Sequence, residues 1–426
     1  MNQDTLAARP PMGWNSWDCY GPSVTEAEVR ANAAVMKNEL APFGWEYVVV
    51  DIQWYEPLAQ GGGYRPNAVL EMDGTGRLIP APNRFPSSRG GAGFKPLADH
   101  VHSLGLKFGI HILRGIPRQA VAKNTPVFGT DYHAADIADP NSLCRWNTDM
   151  YGLDMAKEGA QAYVDSIVKM YADWGVDFIK ADDMATSIYY AQEVDALAQA
   201  IAKCGRPIVL SLSPGQGNAP SNFNHMKGRA QMWRISDDLW DSWDLLKPQF
   251  DYASLWQGYA GPGHWPDLDM LPLGRIGIRA ERGEDRRSRL TQDEQKTLMT
   301  LWAVFRSPLM MGGDLPSMDD FTRSLLTNRR VLAVNQESVE NREILRQEGR
   351  IAWTAKSPDL KSLYVALFNL REETSPVEVS AEELGIRKIP GALELWDGRA
   401  VPVRDGKLRV ELPPHGAGLY QLENIP

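Results

Sequence analysis

The sequence predicts a large (β/α)8 barrel followed by a small antiparallel β-sandwich. Three observations carry that expectation. Short apolar runs alternate with helical patterns from residue 10 to about 335, the order expected of βα units on a parallel sheet. Most of those runs end in a polar or aromatic side chain, and barrels build their reactive sites at that end of the strands. After Asn341 the texture changes to short alternating strands parted by Gly, Pro and Asp turns, the pattern of a sandwich.

The apolar runs that read as barrel strands are Met12–Trp17, Tyr47–Asp51, Lys107–Ile112, Asp177–Asp182, Pro207–Ser213, Gln231–Ser236, His264–Leu271 and Ser307–Gly312. Between them Glu26–Leu40, Leu97–Leu104, Ala160–Trp174 and Tyr189–Lys203 carry apolar residues at three- and four-residue spacing, which predicts helices. Thr25 with Glu28 and Thr291 with Glu294 are capping boxes that fix two helix starts. A doubly wound sheet, the main rival, expects a glycine-rich phosphate turn after the first strand. Gly21–Ser23 reads GPS and is no such turn. The Gly/Pro-rich stretches Gln60–Gly93 and Arg114–Asn147 follow the second and third strands, so a barrel puts both on the reactive face. The sandwich strands expected are Ile351–Ala355, Leu363–Phe368, Val377–Ser380, Leu393–Trp396, Leu408–Leu412 and Gly418–Leu422. The domains are therefore expected at 1–340 and 341–426, the second with a mainly structural role and contacts between copies of the chain.

Hydrophobic residues at 43% and charged residues at 23% suit a compact globular chain. A net charge of −9 without a long basic run argues against nucleic acid or an anionic membrane as partner. The opening MNQDTLAARPPMGW lacks a charged start followed by an apolar stretch, and no run of 18 apolar residues occurs, so a cytoplasmic location is expected. Cys19, Cys144 and Cys204 form neither a disulfide framework nor a CxxC zinc spacing. The 14 tryptophans fit a protein that handles sugars, since indole faces stack on sugar rings, although most of them belong in the core.

Seven strand ends carry side chains suited to a sugar: Trp17, Asp51, His111, Asp182, Ser213, Asp238 and Asp269. One such Asp could merely cap the next helix; the set together points to glycoside chemistry. Cleaving a glycosidic bond needs one carboxylate to attack and one carboxylic acid to protonate the leaving oxygen. In DFIKADD, Lys180 shares a strand face with Asp182 and keeps it ionised as a nucleophile. In MWRISDDLW, Trp233 and Trp240 flank Asp238, and desolvation by indoles would raise that acid toward what a proton donor needs. Asp237 is assigned to capping the following turn. Asp51, Lys180, Arg234 and Asp269 then supply charged hydrogen-bonding groups to a polyhydroxylated ring.

At these residues the chain resembles glycoside hydrolase family 27, the α-galactosidases and α-N-acetylgalactosaminidases. The resemblance rests on PPMGWNSW at Pro10–Trp17, VVVDIQW at Val48–Trp54, GLKFGIHI at Gly105–Ile112 and WGVDFIKADD at Trp174–Asp183. WRISDD at Trp233–Asp238, GPGHWPDLDML at Gly261–Leu271 and SPLMMGGDL at Ser307–Leu315 extend it over nearly the whole chain. It implies a retaining, exo-acting α-glycosidase of α-galactosidase type, with Asp182 as nucleophile and Asp238 as acid/base. Trp17 would form the pocket floor, and Asp51, Gln53, Trp54, His111, Lys180, Ser213, Arg234 and Asp269 would surround the sugar. The alternatives within the family are an α-N-acetylgalactosaminidase and a β-L-arabinopyranosidase.

The departures bear on the sugar. Family galactosidases carry an acidic pair followed by Cys-Trp on the second strand, whereas this chain has Asp51-Ile52-Gln53-Trp54. One of two carboxylates that read the galactose 4- and 6-hydroxyls is missing, so weak activity on simple α-galactosides is expected. His111 stands where galactosidases have Tyr, and Ser213 where they have a Glu near the 2-position. Ser213-Pro214-Gly215-Gln216 does not reproduce the small alanine of the N-acetylgalactosaminidases. Arg114, just past the third strand, could meet an anionic substituent, but a solvated loop role is the plainer expectation. Two readings from other classes are a metal-dependent barrel hydrolase or isomerase, with Asp51, Asp182, Asp183 and Asp269 around a cation, and a silent sugar-binding protein on the same scaffold. Lys180 and Arg234 in the same cavity would repel a metal. The partners expected are a carbohydrate substrate and further copies of the chain in a homo-oligomer, with no cofactor and no metal.

Overall fold

The computed structural model describes residues 6–186, 188–215 and 217–423; residues 1–5 and Gln216, which entered the sequence reading, lie outside them. The eight expected barrel strands all form, as β1 Met12–Asn15, β2 Tyr47–Val50, β3 Lys107–Leu113, β4 Phe178–Asp182, β5 Val209–Leu212, β6 Met232–Arg234, β7 Trp265–Asp267 and β8 Leu309–Met311. Runs such as YVVV in β2 are buried throughout, as strands covered on both faces must be. Neighbours pair in parallel in chain order from β1 to β7, and β8 returns to β1 with Met12 opposite Leu309. Between β7 and β8 a single bridge joins Leu271 to Met311, with Leu271 N–H on the Met310 carbonyl at 2.8 Å and Gly312 N–H on that of Leu271 at 3.0 Å. The sheet is thus closed into a barrel. Gly13 is required by the crowding in β1, because a Cβ there would lie 2.6 Å from the Tyr47 carbonyl oxygen.

The helices cover the outside. Glu26–Val35 starts at the Thr25–Glu28 box, and Gln292–Phe305 starts at the Thr291–Glu294 box with both reciprocal bonds, at 3.2 and 2.7 Å. The first was expected to run to Leu40; its last five residues form a π turn instead, immediately before Pro42 ends the pattern. Between Arg114 and Leu153 lie short strands that the sequence did not reveal. Ile116–Pro117, Ala138–Leu143 and Met150–Leu153 make an antiparallel sheet, and a strand reading ADPNSL carries none of the β-branched alternation that announces one.

The sandwich opens at Val339–Gln347, so the boundary expected at 340/341 falls within its first strand. That strand reads VENREILRQ; as an edge it is largely polar, which is how edges avoid pairing with other chains, and its polarity hid it from the sequence reading. The main sheet runs Val339–Gln347, Arg350–Lys356, Ser362–Asn369, Ala417–Glu423, Ala392–Glu394, Ala400–Val401, and Ser375–Ser380 pairs with Lys407–Leu412 in the second. The alternation of strand residues divides two cores. Leu363, Val365 and Leu367 face the second sheet with Val377, Val379 and Leu408. Trp353, Ala366 and Phe368 belong to the barrel core, where Phe368 meets Phe250 at 5.0 Å between ring centroids. Among the described residues no helix is long and apolar enough to cross a membrane.

Candidate active site

The ends of β1 to β6 surround a cavity of about 340 Å³. Its burial is graded. Trp17 and Asp51 are buried and Lys180 and Asp182 nearly so, whereas Asp237 and Arg282 are exposed, which defines a closed floor and an open mouth.

On the floor, Asp51 Oδ2 accepts from Asn15 Nδ2 at 2.8 Å and from Lys180 Nζ at 2.9 Å, and Oδ1 accepts the Ile52 N–H at 2.8 Å. Burial acts to raise this carboxyl, but Lys180 foremost and then His111 outweigh it and hold it at about 2. Lys180 is lifted in turn: burial opposes its charge, and Asp51 and Asp182 overcome that. Asp182 at the end of β4 accepts from His111 Nε2 at 2.9 Å and from the Asp183 N–H at 2.8 Å, with the Ser213 hydroxyl at 3.3 Å. Burial would raise Asp182; the His111 bond and the His111 and Lys180 charges keep it below its ordinary value. A buried carboxylate held ionised in this way is a ready nucleophile.

Of the residues expected around a sugar, Trp17, Asp51 and Lys180 line the cavity beside Asp182 and Asp238. The others do different work. His111 and Ser213 are spent on Asp182. Arg234 pairs with Asp269 at 2.6 Å and reaches Asp238 at 3.4 Å. Asp269 also accepts the Leu239 N–H at 2.6 Å, so the Arg234–Asp269 pair fixes the loop that presents Asp238. Burial, with Asp238 and Asp267 near, pushes Asp269 up against the pull of Arg234. Gln53 donates to Asp149 at 2.9 Å. Trp54 is turned out of the site: its Nε1–H is on the His111 carbonyl at 2.8 Å and its ring packs between Phe94 and Trp174. Residues 52–55 form a turn, with Gln53 at a left-handed φ of 62°, so position along the chain does not set which way each side chain faces.

The surroundings of Asp238 also differ from expectation. Trp233 points out of β6 onto Trp256 and Phe223, and Trp240 faces Arg286 at 6.0 Å. No indole enclosure closes over Asp238, whose side chain is 35% exposed. Asp237, expected as a cap, lines the cavity. Arg114, expected to be solvated, is buried and ion-paired with Asp183 and Glu193, both at 2.9 Å, with Tyr190 stacked on its guanidinium at 3.5 Å. It also donates to the Asp183 carbonyl at 3.0 Å, and Asp183 takes the left-handed φ of 59° that turns the chain just after Asp182. Burial pushes Glu193 up to about 7 and raises Asp183 as well, despite the arginine. Arg114→Ala leaves both acids buried without a cation; the expected loss is about 3–5 kcal/mol of stability, read from denaturant unfolding, and an unchanged midpoint would remove this role.

Several lining residues escaped the sequence reading. Tyr64 stacks on Trp17 at 5.9 Å and tilts against Trp146 at 5.5 Å; burial and then the charges of Asp182, Asp51 and Glu281 keep its phenol protonated. Tyr64 and Trp146 come from the two Gly/Pro-rich stretches placed on this face, which was the available signal. Glu281 and Arg282 come from the loop after β7, held to the Tyr64 loop by Gly62 N–H on the Ala280 carbonyl at 3.1 Å. Asp18 lies buried beside Trp17, and burial with Asp269 and Asp238 nearby raises its carboxyl well above the ordinary range. Among the described residues no group of three or more His, Cys, Asp or Glu side chains could hold a metal ion.

Comparison with known proteins agrees with this architecture. Residues 155–337 match the family described as alpha galactosidase A, and residues 347–422 the alpha galactosidase C-terminal beta sandwich domain. A β-L-arabinopyranosidase of glycoside hydrolase family 27 from Geobacillus stearothermophilus is 53% identical, with a TM-score of 0.97 over 99% of this chain and 98% of that one. The chain belongs to glycoside hydrolase family 27. Other relatives are more distant. The α-galactosidase of Cyamopsis tetragonoloba is 28% identical over 99% of this chain and 87% of its own length. The α-N-acetylgalactosaminidase of Gallus gallus is 29% identical over 82% of this chain and 76% of its own. The family makes the chain a glycoside hydrolase with a carbohydrate substrate.

Proposed function

We propose that the protein is a retaining β-L-arabinopyranosidase, with Asp182 as nucleophile and Asp238 as acid/base. The observation that carries the choice of sugar is Asp51, bound to Lys180 on the cavity floor and followed in the chain not by a second acid but by Ile52, which is apolar and buried in the core. β-L-Arabinopyranose has the ring hydroxyl pattern of α-D-galactopyranose and lacks only the hydroxymethyl group on C5. A floor with one carboxylate in place of two is matched to the smaller sugar, because an acceptor left without its hydroxyl would be a buried, unsatisfied charge. The 53% identity to an arabinopyranosidase supports the same choice. An N-acetylgalactosaminidase is less favoured, since Ser213 is engaged by Asp182 and is not free for a 2-substituent.

In this reading Asp182 attacks the anomeric carbon, its lone pair oriented by His111 Nε2–H and the Asp183 N–H. Asp238 protonates the departing oxygen from the open side of the cavity and then takes a proton from the water that releases the sugar. Asp51 already accepts from Asn15, Lys180 and the Ile52 N–H, which leaves one lone pair on Oδ1 to accept a ring hydroxyl while the Lys180 ammonium donates. Trp17 and Tyr64 supply a flat aromatic wall.

A panel of nitrophenyl glycosides tests the proposal. The highest kcat/KM is expected on the β-L-arabinopyranoside, with the α-galactoside, the α-N-acetylgalactosaminide and the α-glucoside each lower by about tenfold or more. An α-galactoside turned over at about 10⁵ M⁻¹s⁻¹ or faster, the range of an ordinary enzyme on its own substrate, would overturn the reading of Ile52.

A further inference from the structure

We propose that the leaving-group side of the site binds an acidic glycan, a uronic acid residue whose carboxylate is held by Arg282 and Arg289. The inference rests on the glycosidase reading of the first cavity and concerns what lies beyond it. A leaving group must depart past Asp238, toward the mouth, where Arg282 stands. The same Arg282 also lines a second cavity of about 590 Å³, with Trp243, Leu245 and Arg289 among its walls. The two cavities therefore share Arg282 as a lining residue, which puts the second within reach of a sugar chain that leaves the first at that residue. Its size is that of a small-ligand pocket.

The sign of the ligand follows from which charges are already used. In the second cavity Arg286 and Asp241 satisfy each other through two bonds, at 2.6 and 2.9 Å. Glu294 is taken by His415 at 2.7 Å and by its own helix cap. What remains is cationic. The Arg289 guanidinium has no hydrogen bond or ion pair among the described residues, only its backbone N–H being bonded, to Asp241. Among the described residues the Arg282 guanidinium has one ion pair, long at 3.9 Å, to Glu281. Two guanidinium forks with donors to spare, beside the exposed Leu245 and the half-buried indole of Trp243, one face of which is stacked on His415 at 3.9 Å, match a sugar that offers a carboxylate and an apolar ring face to the other side of the indole. A neutral glycan would leave both forks unused.

The test uses two β-L-arabinopyranosyl oligosaccharides that differ only in a uronate carboxyl or its reduced, neutral alcohol. The readout is the ratio of their kcat/KM values. The acidic substrate is expected to be preferred by about fivefold or more at low salt, the worth of a partly exposed charge pair, and the preference should fade in about 0.5 M NaCl. Arg289→Ala and Arg282→Ala should each bring the ratio close to one, and Arg289→Lys should restore part of it. Arg289 is exposed and unpaired, so its replacement does not endanger the fold. A wild-type ratio near one, or a preference that survives both alanine variants, overturns the proposal. If no β-L-arabinopyranoside is cleaved, the choice of glycone has failed and this inference is read separately by calorimetry with a glucuronosyl-galactose disaccharide. Binding that weakens in Arg289→Ala supports it; no binding at millimolar concentration overturns it.

Discussion

Replacing Asp182 by Asn is expected to abolish turnover of every glycoside, by about 10⁴-fold or more, the scale of losing a nucleophile. Asp238→Ala is expected to behave differently. A nitrophenolate leaves without a proton, so its first chemical step should persist, while a glycoside with an alcohol leaving group should lose the 10²–10⁴-fold or so that a general acid supplies. Water still has to be activated for the second step, and azide, which needs no deprotonation, should speed the variant on the nitrophenyl substrate and give a glycosyl azide of retained configuration. The contrast follows from the geometry. Asp182 is enclosed and held ionised by His111 and Lys180, whereas the Asp238 side chain stands 35% exposed at the mouth, where leaving groups and waters pass. Equal losses on activated and unactivated substrates in both variants would reverse or sink the assignment.

The same contrast marks what could be read from the sequence. The eight barrel strands were legible because a strand covered on both faces tends to a continuous apolar run, and Tyr47–Val50 or Leu309–Met311 can be little else. Side chains directly after such runs inherit a known position, which is why Trp17, Asp51, Lys180, Asp182 and Asp238 could be placed together. Trp54 failed because adjacency along a strand end does not give direction; its indole is held outward by the His111 carbonyl. Trp233 failed for the same reason, facing the helix that carries Trp256. Tyr64, Trp146, Glu281 and Arg282 were not legible as lining residues, since each arrives by a loop. Tyr64 reaches Trp17 only because Gly62 is anchored on the loop after β7, a contact between segments more than 200 residues apart that no local pattern encodes. Arg114 shows the opposite error: a charged residue in a loop reads as solvated, yet two buried acids claim it.

Changing Ile52 to Asp is expected to move the specificity toward α-galactosides. A carboxylate at this position adds an acceptor beside Asp51, and a charge-assisted hydrogen bond to a hydroxyl in a site this closed is worth about 1.5–3 kcal/mol, or about 10- to 100-fold in kcat/KM. The substitution has a cost. Ile52 is 1% exposed and packed in the core, so the new charge is buried next to Asp51, and the variant should be less stable and show a raised pKa for one of the two acids. For that reason the measurement is the ratio of α-galactoside to β-L-arabinopyranoside kcat/KM, in which the fraction of folded enzyme cancels. That ratio should rise about tenfold or more over wild type. Ile52→Asn, of the same size but uncharged, separates the charge from the lost packing and should raise the ratio less. A ratio unchanged in Ile52→Asp would mean that the missing carboxylate does not select the sugar, and specificity would have to be sought in the Trp17–Tyr64 wall of the same cavity.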